Sequence, residues 1–290
     1  MTSQPDEAGM GPGSPAGVDP DVPNVARMYD YYLGGKDNYA ADREAAQRVI
    51  DVFPQTPQLA RVNRAFLQNA VRHLAGEAGI RQFLDIGSGL PTRENVHQVA
   101  QGIDPDARVV YVDRDPVALA HARALLVEND LTRVMQGDLR RPDEILAQKE
   151  LSEIIDFSQP VAILLIFVLH FVRDNENPYE IVKTLMDAAA PGSYLVLSHA
   201  ERDTRLLDGV PVYDAATSPA VLRSYDEIAR FFEGLEPVDP RPQDGGPDND
   251  IETPEQAASG VVRLGTWRSR WPTFHSDAPL PAFSGVARKN

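Results

Sequence analysis

The chain of 290 residues contains no cysteine, and its 28 lysines and arginines are outnumbered by 43 aspartates and glutamates. The absence of cysteine excludes disulfide bonds, thiolate catalysis and cysteine-bound metals. A net charge of −15 argues against nucleic acid as a partner, because proteins that bind phosphate backbones gain affinity from a basic surface. One predicted helix carries Arg61, Arg64 and Arg72. These arginines form either a local basic patch or part of a solvated helix face.

Long apolar runs are missing as well. The longest, from Val161 to Leu169, is far shorter than the ~20 residues that a helix needs to cross a bilayer. The N-terminal residues lack the basic start and the apolar core of a signal peptide. We therefore expect a cytoplasmic protein that does not contact membranes.

Two kinds of catalytic signature are also absent. The histidines are scattered, with no pair at the spacing by which a helix ligates a metal, so no metal site is predicted. Ser88 stands between two glycines but lacks the Gly-x-Ser-x-Gly spacing of a nucleophilic serine. Hydrolase chemistry therefore has no support in the sequence.

The order of apolar and polar segments indicates a single α/β domain with an addition at its N-terminus. Apolar residues make up 42% of the chain, which is enough for a large core. Residues 1–22, rich in proline, glycine and serine, are predicted to form a disordered tail. We expect a helical cap over residues 23–78 and a ligand-binding domain over residues 79–290.

The most informative segment runs from Phe83 to Thr92, where an apolar strand leads through an acid into Gly-x-Gly. Gly87 and Gly89 allow a sharp backbone turn and a close approach of a ligand. Dinucleotide-binding enzymes carry a third glycine three residues on, at the place where this chain has Thr92. Asp85 would repel a pyrophosphate, whereas it can accept hydrogen bonds from a ligand that carries an ammonium group.

Two more acids end the next two predicted strands. Asp113 ends an apolar run one helix and one strand later, where a carboxylate suits ribose hydroxyls. Asp138 ends a third short strand, where a carboxylate can accept a hydrogen bond from an adenine amino group. Asp115 and Pro116 mark the start of the intervening helix. The sequence therefore predicts three acids at one edge of a parallel sheet.

In these residues the chain resembles the class I S-adenosylmethionine-dependent methyltransferases, and more narrowly an actinobacterial family of S-adenosyl methyltransferases with an uncharacterised substrate. The narrower resemblance is carried by residues 24–39, 84–92, 111–116 and 161–171. It implies a Rossmann-like fold of the α/β class. Its sheet is expected to have seven strands, mostly parallel with an antiparallel last strand, and to be preceded by a helical cap.

S-adenosylmethionine is the cofactor that the resemblance implies. The residues predicted to bind it belong to the glycine turn, the strand ends and the cap: Asp85, Gly87, Ser88, Gly89, Asp113, Arg114, Asp138, Leu139 and Lys36. Arg114 departs from the small polar residue expected after the ribose acid. An acidic, proline-rich stretch at residues 240–258 precedes the last strands, which are predicted at Val261 to Trp267 and at Phe283 to Arg288.

The cap begins with a predicted helix that breaks at Gly34-Gly35. Tyr29 and Tyr32 lie on the apolar face of this helix, either as core residues with hydrogen-bonded hydroxyls or as substrate contacts. We expect the helix to cover the cofactor, with Lys36 or Asn38 near the cofactor's carboxylate.

The fourth predicted strand, Val161 to Phe171, reads as buried on both faces. His170 lies at its end, beside the expected position of the methyl donor. A helix with a capping box at Asn177 follows, and then a fifth strand from Tyr194 to Leu197 with His199 just beyond it.

We expect methyl transfer to oxygen or nitrogen of a small molecule, such as a specialised metabolite. A sulfonium already activates its methyl group, so alignment is the main task and a general base is optional. The candidate catalytic residues are His170, His199 and Tyr32, although each can equally be structural. Two alternatives stay open: a protein that binds S-adenosylmethionine without turnover, and an NAD-dependent oxidoreductase, which the missing third glycine disfavours.

Overall fold

A computed structural model describes five stretches of the chain, namely residues 19–91, 94–125, 129–239, 253–267 and 279–290. Residues 1–18 of the predicted tail, residues 240–252 of the acidic stretch and Thr92 lie outside these stretches. No helix within them is long and apolar enough to cross a membrane.

The described residues form one sheet of eight strands. The strands are β1 (Gln82–Ile86), β2 (Arg108–Asp113), β3 (Thr132–Gln136), β4 (Ala162–Ile166), β5 (Tyr194–Ala200), β6 (Glu236–Pro237), β7 (Val261–Arg263) and β8 (Ala282–Arg288). Strands β1 to β5 pair in parallel in the order β3-β2-β1-β4-β5, and β8 joins β5 antiparallel. The predicted α/β class and its mostly parallel sheet are confirmed.

Helices cover both faces of this sheet. In chain order they are α1 (Val25–Tyr32), α2 (Ala40–Val52), α3 (Thr56–Gly76), α4 (Val96–Gln101), α5 (Pro116–Leu125), α6 (Pro142–Leu146), α7 (Lys149–Ser152), α8 (Pro178–Ala188), α9 (Thr204–Leu207), α10 (Val210–Asp214), α11 (Tyr225–Ala229) and α12 (Pro254–Ser259). One core lies between the strands and α3, α4 and α5. The other lies between the strands and α6, α7, α8 and α11.

The two cores explain why the central strands read as continuous apolar runs. Side chains alternate across a strand, so Phe83 of β1 enters the core beneath α3 while Leu84 enters the core on the opposite face. Both side chains are fully buried. A strand with two buried faces cannot alternate apolar with polar residues, and this places β1 in the middle of the sheet.

The strand count is eight rather than the predicted seven because the last edge position is divided. Glu236 and Pro237 pair with one end of β8, and Val261 to Arg263 pair with the next part of the same edge. The chain leaves the edge after Val238, whose N–H donates to the carbonyl of Val286 at 2.9 Å, and returns at Gly260, where a Cβ would lie 2.8 Å from Pro237 Cβ. The acidic stretch therefore splits one strand position into β6 and β7.

The fourth strand is shorter than predicted. β4 ends at Ile166, not at Phe171, because Phe167 adopts a left-handed backbone conformation with a φ of 49°. Residues Leu169–Phe171 then form a 3₁₀ turn. His170 thus lies on a turn beyond the sheet.

The fifth strand is longer than predicted. β5 runs to Ala200 because β8 pairs with it over its whole length, so His199 lies within the strand. The predicted capping box at Asn177 is wrong, since this residue has a left-handed φ of 54° and its side chain makes no capping hydrogen bond.

A buried ion pair holds the start of the cap. Asp42 of α2 accepts a 2.7 Å hydrogen bond from Arg27 Nε, and its carboxylate also accepts the backbone N–H groups of Asn24 and Tyr39. Both charged side chains are at most 4% exposed. Asp42 therefore joins α1 to α2. α3 belongs to the predicted cap of residues 23–78, yet it packs on the sheet of the domain. The division into tail, cap and domain therefore stays a prediction.

We predict that Asp42→Asn destabilises the protein strongly. The change leaves the buried Arg27 guanidinium without its counterion, and breaking a buried pair typically costs about 3 to 5 kcal/mol. Chemical denaturation would measure the free energy of unfolding, with exposed Glu44→Ala on the same helix as the matched control. A loss no greater than that of the control would show that Asp42 does not join the two helices.

Candidate active site

One cavity of about 220 Å³ opens at the carboxyl ends of the parallel strands. We divide its lining by the elements that supply it into a polar half, from the turns after β1, β2 and β3, and an apolar half, from the cap, the turn after β4 and the segment from α9 to Leu222. The polar half is lined by Asp85, Gly87, Ser88, Gly89, Asp113, Arg114, Asp115, Asp138, Leu139 and Arg140. The apolar half is lined by Tyr29, Tyr32, Phe53, Leu59, Leu67, Phe167, Phe171, Leu206, Tyr213 and Leu222. A polar ligand and an apolar ligand therefore have neighbouring places in one cavity.

The glycine turn forms the floor of the polar half. Gly87 has a φ of 76°, and a Cβ at this position would lie 2.3 Å from Val168 Cγ2. Its amide donates to the carbonyl of Val112 at 2.7 Å, which fastens the turn to β2. Any side chain at residue 87 would have to displace the wall that follows β4, so the glycine is required by both conformation and space.

Asp113 connects this turn to the second strand. Its carboxylate accepts the backbone N–H of Gly89 at 2.8 Å and that of Asp115 at 2.9 Å. Burial raises the pKa of Asp113, and these two hydrogen bonds oppose the rise. The acid predicted to accept ribose hydroxyls therefore also fixes the loop that faces the ligand.

Asp85 is almost completely buried at the end of β1. Burial raises the pKa of its carboxyl group to about 7, the positive charge of Arg64 opposes the rise, and Asp113 adds to it. A cationic ligand group beside Asp85 would stabilise the ionised form. The site therefore favours an ammonium group at this position.

Asp138 and its neighbour Arg140 form the outer side of the polar half. Arg140 Nε donates to Asp138 Oδ1 at 2.8 Å, and its Nη2 contacts Asp138 Oδ2. This pairing lowers the pKa of Asp138, in contrast to the two buried acids. Arg140 lies only two residues beyond Asp138, yet sequence reasoning missed its place in the lining.

Distant parts of the chain close the cavity. Arg114, predicted to touch the cofactor, donates to the carbonyl of Thr217 at 2.9 Å and contacts the hydroxyl of Ser218. Asn24 caps α1 and also contacts the carboxylate of Asp115. The cap and the segment after α10 are thereby tied to the loop that follows β2.

His170 lines the cavity from the 3₁₀ turn that follows β4. Its ring is 5.3 Å from the Phe167 ring and 4.3 Å from the Phe171 ring, centroid to centroid. Burial, with the nearby charge of Arg223, lowers the pKa of His170 to about 3. The imidazole is therefore neutral at physiological pH.

His199 is fully buried and is absent from the lining of the cavity. Arg223 Nη1 lies 2.9 Å from His199 Nε2, and an arginine N–H can only donate. His199 Nδ1 consequently carries the proton and donates to the carbonyl of Ala200 at 2.7 Å. Both ring nitrogens are hydrogen-bonded within the protein, which favours a structural role for His199.

Arg223 also shapes the turn that carries His170. Its guanidinium donates to the carbonyls of Leu169 and Val172 at 3.0 and 2.9 Å, on either side of His170. Nothing in the local sequence signals this role, because it depends on a segment about fifty residues away in the chain.

Tyr32 lines the apolar half, with its hydroxyl 3.0 Å from the hydroxyl of Tyr213. Burial raises the pKa of Tyr32 well above its usual range and that of Tyr213 to about 12. Both phenols are therefore protonated at neutral pH. The pair joins the first helix of the cap to α10 across the cavity.

A chain of hydrogen bonds connects Tyr29 to the end of β4. Asn63 donates to the Tyr29 hydroxyl at 3.0 Å and accepts from Ser198 at 2.6 Å. Ser198 in turn accepts the backbone N–H of Phe167 at 3.1 Å. Tyr29, which the sequence predicts to be either a core residue or a substrate contact, has a hydrogen-bonded hydroxyl and also lines the cavity.

Lys36 is exposed and is absent from the lining of the cavity. Asn38 instead donates to Asp30 Oδ2 at 2.7 Å, within the turn that follows α1. The other predicted cofactor residues all line the cavity, and Arg64 is a lining residue that the sequence assigned only to a helix surface. Among the described residues, no cluster of possible metal ligands occurs.

Comparison with known proteins finds one family model and solved structures that cover most of the chain. A family model described as S-adenosyl methyltransferase matches residues 13–243. A solved DUF574 family protein from Streptomyces avermitilis is 36% identical, over 94% of this chain and 99% of that chain, with a TM-score of 0.84. A proposed methyltransferase from Thermobifida fusca is 39% identical, over 95% and 98%, with a TM-score of 0.81. No curated protein matches the chain.

The polar half fits S-adenosylmethionine. Its ammonium group suits the buried carboxylate of Asp85, and its ribose hydroxyls suit Asp113. The turn at Gly87 leaves no side chain over the cavity floor. A pyrophosphate would instead meet these carboxylates, which disfavours the oxidoreductase alternative.

We predict that affinity for S-adenosylhomocysteine increases as the pH rises from 6 to 8. Below a pKa of about 7, Asp85 must lose its proton to face an ammonium group, at a cost of at most about tenfold in affinity per pH unit. Calorimetric titration at several pH values would measure the dependence. Asp85→Asn should abolish it, and an equally steep dependence in that variant would assign the titration to another group.

The raised pKa of Asp85 also makes the stability of the ligand-free chain depend on pH. The folded state holds the Asp85 proton more tightly than the unfolded state, whose value is near 3.8. This group's contribution to stability is therefore complete below that value and is lost as the pH rises to about 7.

Proposed function

Since this chain belongs to the S-adenosyl methyltransferase family, we propose that it transfers a methyl group from S-adenosylmethionine to an oxygen or nitrogen atom of a small, largely apolar molecule. The continuity of the polar and apolar halves in one cavity carries this proposal. A net charge of −15 supports a small acceptor rather than a nucleic acid.

The apolar half indicates the chemistry of the acceptor. Tyrosine and phenylalanine rings from the cap, from α10 and from the segment after β4 surround it. Aromatic rings favour flat, apolar ligands through offset stacking and edge contacts. A phenol or a nitrogen heteroaromatic compound combines such a ring with an oxygen or nitrogen nucleophile.

S-adenosylmethionine supplies a methyl group already activated by its sulfonium. The residues of the chain hold and orient the two ligands and exclude water, and such alignment can lower a barrier by about 7 to 11 kcal/mol. Contacts across the cavity, including Tyr32 with Tyr213 and Arg114 with Ser218, support this role because they join its two sides.

The protonation states limit how a proton is removed. His170 is neutral with a pKa of about 3, and the pKa of Tyr213 is raised to about 12. A general base is most effective when its pKa lies near the working pH, so neither side chain suits that task at pH 7. We therefore assign His170 to hydrogen bonding and packing beside the acceptor. A phenol would enter as the phenolate, having lost its proton to solvent, and a heteroaromatic nitrogen would enter with a free lone pair.

The proposal predicts turnover with simple aromatic acceptors. The protein would be incubated with S-adenosylmethionine and a panel of phenols, aromatic amines and nitrogen heteroaromatics, and methylated product and S-adenosylhomocysteine would be measured by mass spectrometry. At least one phenol or heteroaromatic compound should be methylated in equal amount to the S-adenosylhomocysteine formed. His170→Ala should slow this reaction by about 10-fold or more, as for the loss of a positioned polar contact, and leave S-adenosylhomocysteine affinity within about twofold.

Methylation of peptides or nucleic acid, with none of the small aromatic compounds modified, would contradict the proposal. An unchanged rate in His170→Ala would place His170 outside the reaction. The control Arg141→Ala removes an exposed side chain away from the cavity lining and should leave the rate unchanged.

A further inference from the structure

We infer that the hydroxyl of Tyr213, oriented by Tyr32, donates a hydrogen bond to a neutral oxygen atom of the methyl acceptor, such as a carbonyl oxygen; this inference rests on the proposed function. Both tyrosines line the apolar half of the cavity. Their hydroxyl oxygens lie 3.0 Å apart. The acceptor is then an aromatic compound with a second oxygen, away from the atom that receives the methyl group.

The protons of this pair leave one O–H group for a ligand. Two phenols carry two protons, and the single hydrogen bond between them uses one. Within the stretches that the structure describes, neither hydroxyl has another hydrogen-bond partner. An unused O–H group in an apolar cavity is unfavourable until a ligand or a water molecule accepts from it.

Tyr29 lines the same cavity, but its proton is already donated within the protein. Its hydroxyl donates to the carbonyl of Ala60 at 3.0 Å and accepts from Asn63 at 3.0 Å. The available donor among these three lining tyrosines therefore belongs to the pair of Tyr32 and Tyr213.

The surroundings of the two hydroxyls assign the available proton to Tyr213. Tyr32 is only 5% exposed, whereas Tyr213 is half-buried. Burial raises the pKa of Tyr32, and its contact with Tyr213 adds to the rise. Burial also raises the pKa of Tyr213 to about 12, but the hydrogen bond with Tyr32 opposes that rise. A hydrogen bond lowers the pKa of the phenol that receives it, so Tyr32 donates within the pair and Tyr213 keeps its proton for the cavity.

Ring contacts connect Tyr213 to the turn that carries His170. The Tyr213 ring lies 5.9 Å from the Phe171 ring, and the Phe171 ring lies 4.3 Å from the His170 ring, centroid to centroid. One phenyl ring thus separates Tyr213 from the histidine beside the acceptor. An aromatic acceptor with an oxygen on its far side spans a similar distance.

The charges on this side of the cavity favour a neutral oxygen over a carboxylate. Arg205 of α9 is a lining residue, but its Nε and Nη2 donate to Asp203 at 2.9 and 2.6 Å, so its charge is compensated. A carboxylate in the apolar half would lose its hydration without gaining a counterion. Arg205 Nη1 is buried and has no hydrogen-bond partner among the described residues, which makes Arg205 the rival donor.

The test uses three phenols that differ in one group. 4-Hydroxyphenylacetone has a carbonyl where 4-propylphenol has a methylene, and 4-hydroxyphenylacetate has a carboxylate there. Each would be titrated calorimetrically into the natural chain saturated with S-adenosylhomocysteine. 4-Hydroxyphenylacetone should bind about 3- to 10-fold more tightly than 4-propylphenol, the range for one neutral hydrogen bond. It should also bind more tightly than 4-hydroxyphenylacetate.

Substitutions locate the donor. Tyr213→Phe should bring the affinities for 4-hydroxyphenylacetone and 4-propylphenol to within about twofold of each other, because the hydrogen bond is lost. Unchanged S-adenosylhomocysteine affinity in this variant would show that the fold is intact. Tyr32→Phe should lose part of the preference, since the Tyr213 hydroxyl remains but is no longer oriented. Tyr31→Phe removes a hydroxyl of the same helix outside the cavity lining and should keep the full preference.

Four results would overturn the inference. Equal affinity of the natural chain for 4-hydroxyphenylacetone and 4-propylphenol would show that the apolar half offers no donor, and the proposed function would stand. Tighter binding of 4-hydroxyphenylacetate would replace the neutral oxygen by an anion. A full preference in Tyr213→Phe would exclude Tyr213, and its loss in Arg205→Gln instead would assign the donor to Arg205. If the chain bound S-adenosylhomocysteine but none of the phenols, the aromatic acceptor of the proposed function would fail first, and this inference would fail with it.

Discussion

The site depends on the parallel pairing of β1 with β2 on one side and β4 on the other. Because parallel strands end at the same edge, the turn after β1, the acid of β2 and the turn after β4 meet there. Asp113 binds the amide of Gly89, and Gly87 packs directly against Val168. Three separate strand ends are thus locked into one surface, and an error in their register would remove the ligand site as well as the core.

Buried polar groups at this edge serve stability and ligand binding at once. Asp113 is occupied by backbone amides, whereas Asp85 has a raised pKa and an arginine charge near it. The first arrangement gives a rigid loop, and the second leaves a group whose charge a ligand can stabilise. Placing an incompletely compensated acid in a cavity is unfavourable for the ligand-free fold, and it is favourable once a cation binds beside it.

The sequence was sufficient to predict the glycine turn, the acids at three strand ends and the α/β class, because each depends on local pattern and on the rules of parallel sheets. It was insufficient where the cause lies far along the chain. Arg64 resembled its exposed helix neighbours until the fold placed it in the lining of the cavity. His199 was expected past a strand end, but pairing with β8 extends β5 over it. The left-handed Phe167 that ends β4 has no signal, since non-glycine residues seldom adopt that conformation.

We propose that the polar half of the cavity holds the cofactor and the apolar half holds the acceptor. A crystal structure of the complex with S-adenosylhomocysteine would show both places. We expect the adenosine beside Asp113 and Asp138, the amino-acid group beside Asp85, and the sulfur directed toward Phe167 and His170. A complex in which the sulfur faces away from the apolar half, or in which the adenosine fills that half, would rule out this arrangement.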